Sequence, residues 1–193
     1  ENAILMTCGT ALRILLKNDI RPDLHVENER VRIVPEILGD CRRDFGLEGI
    51  TLIATTTANP QIAGLFDKRW YFFRDALSPT DIFDTGTDSV KNADPLVTNA
   101  GFSIATLLGF QNVYFFGVDC GQKEVGLHHS KDAIYYQKKH VHLDEQYRKR
   151  PDRVLPGNFG GEVQSFWAYA LGRRMLGEVQ AKRRVNLYNC SDG

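Results

Sequence analysis

The residues able to do chemistry in this chain gather where apolar runs end. Ile4–Thr7 runs into Cys8, Gly9 and Thr10, and Leu24–Val26 into Glu27, Asn28 and Glu29. The run from Ile50 closes on Thr56, Thr57, Ala58 and Asn59, and Val113–Gly117 leads to Asp119, Cys120 and Gly121. Small, hydroxyl-bearing and amide residues with isolated carboxylates suit a place where phosphates and ribose hydroxyls approach backbone N–H groups closely.

Thr98, Asn99, Gly101 and Ser103 open a helical stretch, Phe102–Leu108. A helix beginning near Gly101 offers N–H groups and its positive dipole end to an anion, with hydroxyl donors from Thr98 and Ser103. The plainer alternative is an ordinary N-cap at Thr98 or Asn99. Asp119 either holds a ribose or acceptor group or caps the next turn. Gly157–Gly161, around Asn158, is a second glycine-rich entry to a helix. His128–His129 and His140-x-His142 come without a matched acidic motif such as HExxH, so no metal site is expected and an acid–base or phosphate-contacting role suits one of them better. No GxGxxG, no GxxxxGK[ST] and no DxD occurs, so neither a dinucleotide fingerprint nor a Walker loop is claimed.

The elements that must position these residues alternate. The spacing predicts strands at 4–7, 24–26, 50–56, 70–73, 113–117 and 185–188. Helices are predicted at 11–17, 59–65, 102–108 and 162–178, with Phe166 and Trp167 on the last one's core face. Residues 31–38 are apolar and can run into a helix through Arg43, 75–95 read as a long loop, and 122–156 as a polar, basic insert carrying four of the five histidines. Near-continuous apolar strands alternating with helices predict an α/β, Rossmann-like three-layer sandwich with a mostly parallel sheet and helices on both faces. In such folds ligands bind outside the carboxyl ends of the strands.

The whole chain of 193 residues reads as one such domain, and both ends read as cuts in a longer protein. With 24 basic and 24 acidic residues, the zero net charge argues against nucleic acid as the main partner. No apolar run reaches the length of a membrane span. The four cysteines lie far apart with no CxxC pair. They predict reduced, mostly buried thiols in a cytoplasmic protein.

Three stretches carry a family resemblance. PLVTNAGFSIATLLGFQNVYFFGVDCG (95–121), TCGTALRILLKNDIRPDLHVENE (7–29) and GNFGGEVQSFWAYALGRRM with VNLYNCSDG (157–193) together resemble the central domain of motility-associated-factor (Maf) flagellin glycosyltransferases. That domain shares a superfamily with archaeal pterin diphosphokinase-like proteins, and its LGFxNVYxxGxD pattern is similar to a family of bacterial sialyltransferases. The resemblance implies transfer of a nonulosonic, sialic-acid-like sugar from a CMP conjugate to Ser or Thr of flagellin. A CMP-sugar has one phosphate, so no resident cofactor is called for. By position, Thr98, Asn99, Gly101 and Ser103 match the nucleotide-binding turn, Asp119 the strand-end aspartate, and Cys8–Gly9–Thr10 and Glu27 the nucleotide cleft. His128 or His129 matches a phosphate-contacting group. The family's first glycine-rich βα turn is expected upstream of Glu1, and Asn158 stands where the sialyltransferases place a catalytic histidine, so the general base is unassigned. Two other classes compete: an ATP- and Mg²⁺-dependent diphosphokinase, and a non-catalytic nucleotide-binding or flagellar interaction module.

Overall fold

The computed structural model describes residues 3–75, 78–83, 89–123 and 151–191. The chain divides into two compact units, Glu1–Ala93 and Asp94–Gly193. The fold is α/β and Rossmann-like.

The first unit runs β1 (Met6–Cys8), α1 (Ala11–Lys17), β2 (Leu24–Glu27), α2 (Ile33–Phe45), β3 (Thr51–Thr55), a 3₁₀ helix (Pro60–Leu65), β4 (Lys68–Arg74), α3 (Ser78–Phe83) and β5 (Ser89–Val90). Its sheet has the order β1-β2-β3-β4-β5, with every neighbouring pair parallel. All residues of β2 and β3 are buried, as expected of strands covered on both faces. Each strand lies beside the one preceding it, and crossovers of one hand return the chain to the same face. Leu12 and Leu16 of α1, Val34, Leu38 and Cys41 of α2, and Ile62 of the 3₁₀ helix accordingly join one core against Leu52 and Ala54 of β3. In this unit those three helices share a face rather than dividing between two.

The second unit contains α4 (Val97–Leu107), β6 (Asn112–Phe115), β7 (Arg153–Pro156), β8 (Glu162–Ser165), α5 (Trp167–Arg183) and β9 (Asn186–Asn189). β6 and β9 pair in parallel, and β7 and β8 form an antiparallel hairpin. Phe102 of α4, Leu176 and Val179 of α5, and Val185 form its core, against Val113, Phe115 and Leu187 from the strand pair. On the strands' other face Tyr114 and Tyr188 stack with ring centroids 4.8 Å apart.

Several expectations are corrected. α4 starts at Val97, not near Phe102, so Gly101 lies inside the helix rather than at its mouth. Leu96 is extended, and the Asn99 side chain accepts from its backbone N–H at 3.2 Å, which closes the first turn early. Residues 162–178 are not one helix. Glu162–Ser165 alternates exposed and buried with the period of a strand, Phe166 is extended, and the helix follows. Phe166 is buried as expected, but Trp167, first residue of α5, is 58% exposed. The long loop holds α3 and β5. The cysteines are all free but not mostly buried as expected: Cys41 alone is buried, Cys8 and Cys120 are half-buried and Cys190 is exposed. Among the described residues no helix is long and apolar enough to cross a membrane, and no group of acidic, His or Cys side chains is arranged to hold a metal ion.

Candidate functional site

In the first unit the carboxyl ends of β1, β2 and β3 are stitched to one another. Gly9 takes a left-handed backbone (φ 55°), which places its N–H to donate to Val26 O at 3.0 Å. Thr10 then leads into α1. Asn59 N–H donates to Glu29 O at 3.2 Å, and the exposed Thr56 donates its N–H to Phe72 O at 3.0 Å. Asn59 also caps the 3₁₀ helix, accepting from Gln61 N–H at 3.1 Å. The candidates Cys8, Gly9, Thr10, Glu27, Thr56 and Asn59 thus share one edge of one sheet.

At the centre of that edge is a buried polar chain. Glu27, 3% exposed, turns back on its own backbone: Asn28 N–H and Glu29 N–H donate to Oε1 at 2.8 and 2.9 Å. Oε2 faces His25 Nε2 at 4.0 Å, and His25 Nδ1 lies 3.0 Å from Thr7 Oγ1. His25 is fully buried, its ring stacked on Phe66 with centroids 5.8 Å apart. Burial pushes the Glu27 carboxyl up to about 7 despite its two backbone donors, and pushes the His25 imidazole down to about 3. The Cys8 thiol is pushed up to about 12, by burial first and then by the Glu27 charge. It is no nucleophile at neutral pH. Asn28 Nδ2 donates to Ala93 O at 3.4 Å.

In the second unit Thr98 stands half-buried in the first turn of α4, and Gly101 and Ser103 are buried further along it. Asn99 is 1% exposed; its Nδ2 donates to Gly172 O at 2.9 Å and its Oδ1 accepts from Leu96. Its amide therefore fastens α4 to α5. Asp119 is half-buried, next to Cys120 in a left-handed conformation (φ 52°) that non-glycine residues seldom adopt. β8 holds that turn: Ser165 Oγ donates to Cys120 O at 2.7 Å, and Gln122 and Gln164 exchange backbone bonds of 2.8 and 2.9 Å. A Cβ on Gly121 would lie 2.7 Å from Val163 Cγ2, so only glycine lets the strands approach this closely. Burial raises the Cys120 thiol to about 11. Asn158 is exposed, and its Nδ2 donates to Asn189 O and Ser191 O at 3.0 and 2.8 Å, pinning the segment after β9. His128 and His129 lie outside the described residues, as does most of the basic insert.

Two residues escaped the sequence reading. His25 was legible only as the histidine outside the insert, two positions before Glu27 in a strand and hence on the same face. Gln122, 6% exposed, lines a small cleft with Gly121, Ser165, Phe166 and Tyr169, and no periodicity marks it.

The sequence profile of the 6-hydroxymethylpterin diphosphokinase MptE-like family matches residues 1–125. The solved structure of a Maf glycosyltransferase from Magnetospirillum magneticum AMB-1 is similar with a TM-score of 0.80 and 35% identity, over 99% of this chain and 28% of that one. The chain thus spans under a third of that protein's length. No curated protein matches the chain.

Proposed function

This chain belongs to the 6-hydroxymethylpterin diphosphokinase MptE-like family, and from that footing we propose that it is the nucleotide-sugar-binding part of a glycosyltransferase. The observation that carries the reading is the likeness to the Magnetospirillum glycosyltransferase along 99% of the chain. The proposed donor is a CMP-activated nonulosonic acid and the proposed acceptor a Ser or Thr hydroxyl of flagellin. CMP leaves the anomeric carbon through an oxocarbenium-like transition state, so the protein must steady the departing phosphate and receive the acceptor's proton.

The residues divide that work by chemical type. Thr98 offers a hydroxyl at the positive end of α4, with Ser103 further along. Asp119 orients a hydroxyl of the ribose or the sugar. In the first unit Gly9 turns the chain so that Thr10 stands at the end of β1, and Glu27 and Asn59 contribute polar groups at the same sheet edge. His128 or His129 is the proposed phosphate partner. Four free cysteines suit the reducing cytoplasm, the proposed location.

Thermal unfolding with nucleotides tests the reading, because a ligand that binds only the folded state raises its melting temperature. Stabilisation by CMP or CDP but not by ATP–Mg²⁺ is expected. The reverse would move the assignment to a diphosphokinase, as the family's name suggests, and silence toward every nucleotide would favour an interaction module.

A further inference from the structure

The glycosyl-transfer reading needs a group to receive the acceptor's proton. Glu27 sits at the carboxyl end of β2, in register with Ala54 of β3. One of its oxygens is committed, Oε1 being held by the Asn28 and Glu29 N–H groups. The other, Oε2, is aimed at His25 Nε2 across 4.0 Å, and that nitrogen makes no hydrogen bond. His25 is itself fixed on two sides, by the stack on Phe66 and by Thr7 Oγ1 at Nδ1.

The Thr7 hydroxyl has one proton and two acceptors to choose from, Leu24 O at 3.4 Å and His25 Nδ1 at 3.0 Å. When it turns to Leu24 O, the imidazole carries its proton on Nδ1 and presents a bare Nε2, which suits a protonated Glu27. When it turns to Nδ1, Nε2–H faces Glu27, which suits a carboxylate. The three side chains therefore rearrange together whenever Glu27 gains or loses a proton.

We infer that Glu27 Oε2 is the acid–base atom of this strand-end site, with His25, oriented by Thr7, as its positioning residue; the inference rests on the glycosyltransferase reading. In the step concerned the acceptor's O–H bond breaks and its proton passes to Oε2. The acceptor oxygen bonds to the anomeric carbon, and the bond from that carbon to the CMP oxygen breaks, its electron pair leaving with the phosphate. The groups that bear on the Glu27 carboxyl are His25 on its own strand, Cys8 at the end of β1 and Glu29 in the following turn. β3 presents only the Ala54 methyl in register, and the segment after the 3₁₀ helix presents the Phe66 ring. Burial dominates among these influences and brings the carboxyl to about 7, within reach of both protonation states.

Two measurements test this. In the chain labelled with ¹³C at glutamate carboxyls, NMR titration is expected to give Glu27 a midpoint near 7. His25→Phe keeps a ring on Phe66 and deletes both nitrogens; it is expected to raise that midpoint by about one unit, since Oε2 loses the polar nitrogen that faces it. A midpoint among those of the exposed glutamates, or one unmoved by His25→Phe, overturns the inference. Should His25→Phe fail to fold, Glu27→Gln carries the test through calorimetry with CMP in buffers of different ionisation enthalpy. CMP binding at pH 7 is expected to take up a fraction of a proton, because the arriving phosphate disfavours the carboxylate, and Glu27→Gln is expected to lose that uptake. Equal uptake in both proteins overturns the acid–base role while leaving the function reading intact. Absence of CMP binding removes the function reading and the acid–base role together.

Discussion

Asn99 donates its side-chain amide to the backbone carbonyl of Gly172 across 2.9 Å, and a Cβ on that glycine would come within 3.0 Å of Asn99 Oδ1 and 2.7 Å of Leu96 Cδ1. The two residues set how closely α4 and α5 pack. Gly172→Ala is expected to destabilise by about 1–3 kcal/mol through overpacking. Asn99→Ala is expected to lose about 1–3 kcal/mol because the buried Gly172 carbonyl and the half-buried Leu96 N–H lose their partners. Urea unfolding of the single and double variants checks both values, and the double variant is expected to fall short of the sum because the residues touch.

The same reasoning applies at Gly121, against Val163. Gly121→Ala is expected to cost about 1–3 kcal/mol. Val163→Ala on that background is expected to restore part of the loss, since it removes the colliding methyl. Urea midpoints of the two variants decide.

Stability is expected to depend on pH through Glu27 and His25 in opposite senses. Glu27 holds its proton more tightly folded than unfolded, with a folded value of about 7 against 4.5. Its contribution is therefore full below about pH 4 and is lost as pH rises through 7. His25, lowered from 6.5 to about 3, contributes above 6.5 and loses that contribution as pH falls toward 3. Glu27→Gln removes only the first effect. Urea unfolding from pH 4 to 8 is expected to show the variant gaining on the unsubstituted protein as pH rises, by about 3 kcal/mol at most.

Asp119→Ala and Ser103→Ala are expected to abolish sugar transfer in the protein that carries this chain, leaving circular dichroism and melting temperature close to the original. Asp119 stands in the turn after β6 and Ser103 inside α4, and neither belongs to the cores around Leu52 or Phe102. Full transfer by both variants would show that the donor is bound elsewhere.

How far the sequence foretold all this follows from what each element had to bury. α1 has the expected bounds, Ala11–Lys17, because leucines at helical spacing feed one core and Asn18 ends the run. β3 was legible as a β-branched stretch buried on both faces. α4 hid its first turns because Val97–Gly101 mixes small and polar residues without a helical apolar period, so hydropathy does not mark where the helix begins. β8 was absorbed into α5 since four residues of alternating pattern also fit one turn of a helix. Among site residues, Glu27 was visible as a carboxylate after an apolar run. Its coupling to His25 was not, because a single buried histidine in a strand reads as packing until its ring nitrogens are seen to face Thr7 and Glu27.

Every strand of the five-stranded sheet hydrogen-bonds to the one just before it in the chain, whereas β6 waits for β9, with Asn112 and Asn186 paired 74 positions apart. Closing short loops forfeits less chain entropy than closing long ones, and local contacts form sooner. The larger sheet can therefore zip up sequentially from nearby pieces during refolding, and the Tyr114–Tyr188 stack arrives late. Tyrosine emission and far-ultraviolet dichroism should then report the same refolding reaction on two different clocks.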